Sequence, residues 1–176
     1  MFKKILVGLD DAETCDTLFE KALMLARCTG ANLLLISVIS PIDSFSPPIL
    51  ASSGKSYNLP NTDQSVWSVY RDIHQEYIDK ARERLSHFVK RAQAAHIETD
   101  YVQRVGSPGH AICEQAKASD ADVILVGSHG RSGLSELWLG SVSNYVLHHA
   151  PCSVCVIREQ GQSRWSDEGL VQKCPI

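Results

Sequence analysis

The stretch "ADVILVGSHGRSGLSELWLGSVSNYVLHH", residues 121–149, opens as an apolar run, breaks into spaced glycines and closes on a segment with helical character. Its first part, 121–128, shows no polar–apolar alternation. That is how a strand buried on both faces reads, as in a parallel sheet. A strand, a glycine-rich loop and a helix (141–149) in that order form one unit of an α/β fold. "KILVGL", residues 4–9, is a second run of the same kind.

Working outward, residues 12–29 place Leu18, Ala22 and Leu25 beside Phe19, Leu23 and Ala26, which is helical spacing, and Gly30 supplies the stop. "ANLLLISVIS" (31–40) predicts another buried strand. The segment 41–63 is rich in Pro, Ser and Asn and has no period, so a long flexible loop is expected. From 64 to 95, Val66, Val69, Ile73, Tyr77, Ala81, Leu85, Phe88 and Ala92 recur every three or four residues, the pattern of a long amphipathic helix. A strand is expected over 97–105. Gly106-Ser107-Pro108 offers a turn, an N-cap and a first-turn proline for a helix ending near 118. "CSVCVIR", 152–158, completes the set as a fifth strand.

Strands alternating with helices require a parallel sheet covered on both faces, so the fold class is α/β, doubly wound and five-stranded. The chain of 176 residues is expected to form one domain over 1–158, followed by a polar tail, 159–176. "ILVG" occurs at 5–8 and again at 124–127; two central strands of one sheet account for this without an internal repeat.

Composition excludes several classes. A net charge of −3 argues against general binding of nucleic acid or acidic lipid. No run is apolar for long enough to span a membrane, and the apolar start ends at Asp10, too soon for a signal peptide. A cytoplasmic location is expected. The six cysteines, Cys15, Cys28, Cys113, Cys152, Cys155 and Cys174, are scattered and read as small packing residues. Cys152 and Cys155 form a CxxC, but on a strand residues three apart face opposite ways. Adjacent His148 and His149 splay apart on a helix and make no metal site.

Ligands of open α/β sheets bind beyond the carboxyl ends of the strands, where Asp10 and Gly127 fall. Glycines at 127, 130, 133 and 140 allow a sharp turn and leave backbone N–H groups bare. Gly140-Ser141-Val142-Ser143 then opens a helix whose free N–H groups favour an anion, with two hydroxyls as further donors. This predicts a phosphate cradle. It is not a Walker A loop, since no lysine follows Gly140, and "GLDDAE" stands where a dinucleotide fingerprint would need glycines.

The spacing Gly127-x2-Gly130-x9-Gly140-Ser141, with "KILVGLDDAE", "LLLISVI" and "GSPGHAI", resembles the ATP-binding branch of the universal stress protein family over residues 1–158. That resemblance implies a sheet order of 3-2-1-4-5, the adenine nucleotide alpha hydrolase-like arrangement, with one nucleotide per subunit. It implies that Asp10, with Gly8 before it, lies near the ribose, and that the backbone of Val38 holds the adenine edge. Phosphates fall to Gly127, Gly130, Gly140, Ser141, Val142 and Ser143, with His129 and Arg131 between. Asp11 departs from the Ser or Phe usual after the first-strand acid. The resemblance also implies a homodimer paired through strand 152–158, an apolar edge that would be unsafe exposed.

One arginine cannot balance a triphosphate, so ATP is expected with Mg²⁺ held mainly by its own phosphates. No carboxylate near the loop (Asp10, Asp11, Glu136) is marked as a general base and no nucleophile–base spacing is legible. The expected role is a nucleotide-dependent stress-response sensor acting on unknown protein partners. Two other classes remain open: a slow ATPase or phosphoryl- or adenylyl-transfer enzyme, and a dimeric interaction module that binds no nucleotide. The glycine spacing argues against the last.

Overall fold

The two "ILVG" runs lie side by side at the centre of the sheet. In the computed structural model, which describes residues 1–10, 15–40, 64–128 and 139–158 (of 64–74, the backbone alone), strand β1 is Lys4–Gly8 and β4 is Val123–Gly127. They pair in parallel with Ile5 opposite Val123 and Leu6 opposite Ile124. The identical tetrapeptides are therefore one residue out of step and present opposite faces. Ile5 and Val7 point into one core cluster, Ile124 and Val126 into the other.

The remaining elements follow in chain order. Helix α1 is Cys15–Thr29, β2 is Asn32–Ile39, α2 is Gln64–Ala94 and β3 is Thr99–Val105. Helix α3 is Pro108–Ala118, α4 is Ser141–His149 and β5 is Ser153–Ile157. The sheet order is β3-β2-β1-β4-β5, and every pairing is parallel. This is the doubly wound α/β fold that the alternation of elements requires. Strand ends differ from the expected ones by one or two residues, as fraying at termini allows.

The two faces are buried by different helices. Phe19, Ala22 and Leu18 of α1 with Leu85, Phe88 and Ala92 of α2 cover Ile5, Val7, Leu35 and Leu125. Ile112 and Ala116 of α3 with Val146 of α4 cover Leu6, Ile36, Ile124 and Val126. Each fully buried Phe, Leu or Ile contributes roughly 1.5–3 kcal/mol, so the continuous apolar strands are what commit the sheet to two helical layers. Cys155 of β5 packs with the first layer, and Cys152, one residue ahead of the strand, packs with the second.

Local chemistry sets the joints. Gly30 adopts φ +71° and its N–H returns to Ala26 O at 2.8 Å, the expected helix stop. Asp122 accepts the N–H groups of Lys3 (2.7 Å) and Lys4 (2.9 Å), fixing β1 against the entry to β4. Those two bonds hold its carboxyl below the usual carboxylate range. Ser107 occupies the N-cap of α3 in an extended conformation, but its side chain makes no cap hydrogen bond. This corrects the expected side-chain cap; the start of α3 rests on Pro108 and on packing instead. No helix of the described residues is long and apolar enough to cross a membrane.

Candidate functional site

Parallel strands end together, so the carboxyl ends of β1, β2 and β4 share one rim of the sheet. Gly8 closes β1 there. A Cβ at this position would stand 3.1 Å from Ile112 Cδ1 and 3.3 Å from Val126 Cγ1, so the close approach of α3 gives this glycine a packing reason of its own. Asp10 and Val38 then line one cleft, together with Leu9, Ser37, Tyr77, Ala81, Arg84, Leu85 and Phe88. The sequence-derived ribose and adenine positions are thus brought to the same place.

Asp10 is held from two sides. Its carbonyl accepts Cys15 Sγ from α1 at 2.8 Å and Arg84 Nη1 from α2 at 3.2 Å. Burial, with the Asp10 carboxylate adding to it, pushes the Cys15 thiol up to about 12. Cys15 is therefore a neutral donor to the Asp10 carbonyl at ordinary pH.

The residues expected to hold phosphate gather at the start of α4. Gly127 ends β4, and Ser128 N–H continues the ladder to Ile157 O at 2.9 Å. Gly140 N–H donates to Ser128 O at 2.7 Å, so the chain re-enters the sheet rim at the strand it left. Gly140 is the extended N-cap, and the first helical bond runs from Asn144 N–H to Gly140 O at 2.9 Å. The N–H groups of Ser141, Val142 and Ser143 precede that bond, and no side chain among the described residues caps the helix. Such a start favours an anion.

The two hydroxyls expected there separate. Ser141 is exposed, whereas Ser143 is 1 % exposed and its Oγ donates to Gly140 O at 2.9 Å and reaches Ser128 O at 3.3 Å. This corrects the expectation of Ser143 Oγ as a ligand donor: the hydroxyl ties the turn. Val142 is half-buried against the α3–α4 core. His129, Gly130, Arg131 and Gly133, with Asp11, Glu136, the loop 41–63 and the tail 159–176, lie outside the described residues.

Sequence reasoning missed the contribution of α2. Tyr77 and Ala81 were expected simply as core-stripe positions, and Arg84 carried no signal beyond its place next to Leu85. The stripe shows which face is buried, not that its upper turns close the cleft beside Asp10. No group of three or more His, Cys, Asp or Glu side chains among the described residues is arranged to hold a metal.

Comparison with known proteins agrees with this fold. A family model described as the universal stress protein family matches residues 1–158. A universal stress protein of Synechocystis sp. is 32% identical over 157 residues, covering 89% of this chain and 98% of its own. Among solved structures, the MJ0577 protein of Methanocaldococcus jannaschii superposes with a TM-score of 0.74 at 21% identity, over 92% of this chain and 99% of that one. A universal stress protein of Arabidopsis thaliana, solved with AMP bound, superposes with a TM-score of 0.62 at 21% identity, over 94% and 97%.

Proposed function

The chain belongs to the universal stress protein family, and from that premise we propose that it binds an adenine nucleotide at the carboxyl rim of its sheet and acts as a nucleotide-dependent stress-response regulator. The observation that carries this reading is the uncapped start of α4, drawn onto the end of β4 by the Gly140–Ser128 bond. Three successive N–H groups there suit phosphate oxygens, and the Asp10–Val38 cleft on the same rim suits the nucleoside. AMP bound to the Arabidopsis relative supports the nucleotide class.

The ligand proposed is ATP, with Mg²⁺ carried on its phosphates. Gly8, Asp10 and Val38 take the ribose and base. Gly127, Gly140 and the backbone of Ser141, Val142 and Ser143 take the phosphates, with Gly130, His129 and Arg131 from the intervening loop. Hydrogen bonds to a charged partner are worth roughly 1.5–3 kcal/mol each, so three or four of them together with burial of the adenine bring the ~8 kcal/mol of micromolar affinity within range after ordering costs. No carboxylate near the loop is marked as a general base by the sequence, which supports regulation by occupancy over turnover. Among the described residues strand β5 pairs with β4 alone and keeps Val154–Ile157 half-exposed at the sheet edge, which supports a homodimer through 152–158. A cytoplasmic location completes the proposal.

Calorimetric titration of the purified full chain with ATP, ADP and AMP, each with and without Mg²⁺, tests it. Micromolar binding of at least one is expected. Absence of binding by all three would remove the nucleotide reading and leave a family member acting through its surfaces alone.

A further inference from the structure

The nucleoside cleft is narrow because α2 reaches across it. Arg84 Nη1, from the middle of α2, donates to the Asp10 carbonyl at the end of β1, joining residues 74 positions apart. Tyr77 and Ala81, two turns and one turn earlier on the same helix face, line the cleft with it, as do Ser37 and Val38 of β2. The space left among these residues is about 20 Å³. That suffices for one water, whereas sites that hold small molecules run to roughly 300–1,000 Å³. A base and ribose need more room than that, and the Arg84 side chain is what ties α2 to the end of β1 across this space.

We propose that Arg84 is an affinity-setting latch on the nucleoside end of the site, deepening the adenine-nucleotide reading above, on which it rests. The guanidinium is half-exposed and carried on a long stem, so it can leave Asp10 for solvent without unfolding α2. Asp10 O keeps its second donor, Cys15 Sγ at 2.8 Å, so opening does not leave that carbonyl unpaired. Nucleoside binding then competes with the latch. The apparent dissociation constant is the intrinsic one divided by the fraction of molecules with the latch open.

Neutral adenosine is the discriminating probe, because loss of the arginine charge cannot act on it through phosphate. Adenosine and ATP binding are measured by calorimetry and stopped flow for the parent chain, Arg84→Ala and Arg84→Met, the last keeping an apolar stem without a donor. Both variants are expected to bind adenosine about three- to tenfold tighter, with faster association. Unchanged or weaker adenosine binding by both variants would overturn the latch and make Arg84 a structural or ligand-contacting residue. If no form binds adenosine or ATP, the nucleotide reading falls. The tie itself is then judged by hydrogen exchange of the α2 amides 77–88, which should quicken in Arg84→Met; unchanged exchange overturns it.

Discussion

Gly140 N–H donates to Ser128 O at 2.7 Å, so the chain that leaves β4 comes back to the same strand end before α4 begins. Two features follow from this one bond. The first turn of α4 starts at the end of β4, and its first three N–H groups lie ahead of the first intrahelical bond.

Gly140→Val tests that cradle. The N-cap takes φ −60° and ψ 157°, an extended conformation that valine adopts readily, so the backbone tolerates the change. In the proposed cradle the added isopropyl group replaces the bare backbone that phosphate would approach. Loss of two charge-assisted contacts, roughly 1.5–3 kcal/mol each, predicts ATP affinity lowered about a hundredfold or more, with the melting temperature within a few degrees of the parent. Calorimetry and thermal melts read both. Undiminished affinity would place the phosphates elsewhere.

The approach of α3 to α4 gives a second test. A Cβ on Gly109 would sit 2.7 Å from Tyr145 Cδ1 and 2.9 Å from its Cβ, and the Tyr145 ring is stacked on His149 at 4.0 Å. The ring has little room to withdraw. Gly109→Ala is expected to destabilise by about 1–3 kcal/mol in urea unfolding, as overpacking does. Adding Tyr145→Ala should return part of that loss, a coupling that only residues in contact display.

Period and run length decided most of the fold. Unalternating runs at 4–9 and 121–128 identify strands covered on both faces, and the 3.6-residue stripe of α2 identifies its buried side. What those patterns cannot carry is partnership over distance. Arg84 meets Asp10 across 74 residues, and no local spacing marks it. The Ser143 hydroxyl was legible as a helix-start group, yet whether it faces a ligand or its own turn depends on where Ser128 O returns. Ser107 shows the same limit: it has the composition and position of a cap, and its side chain makes no cap bond.

Arg91 joins the two helices of the first layer. Its guanidinium lies 5.0 Å from the Phe19 ring centroid and 5.5 Å from that of Phe88, and it pairs with Asp16 at 2.6 Å and with Glu20. Its side chain is 31% exposed, so the ion pairs are partly screened and the ring contacts weigh as much. Arg91→Ala is expected to cost about 1–2 kcal/mol. Arg91→Lys should recover about half, because it keeps the charge and loses the planar fork that spans both acids. Equal losses for both variants would mean that the charge contributes nothing.

Cys15 makes stability depend on alkaline pH. Burial and then the Asp10 carboxylate push its thiol from an ordinary 9.0 up to about 12 in the folded chain. The unfolded chain therefore gives up this proton from about pH 9, while the folded chain keeps it. Stability from the group is full below pH 9 and declines as pH rises toward 12, by up to about 1.4 kcal/mol per pH unit. Urea unfolding between pH 8 and 11 should fall more steeply for the parent than for Cys15→Ala. In native labelling at pH 8 with iodoacetamide, exposed Cys28 should react well before Cys15. Matching slopes, or early labelling of Cys15, would mean that the thiol ionises within the fold. Its bond to Asp10 would then not be the neutral tether that holds the end of β1 in place.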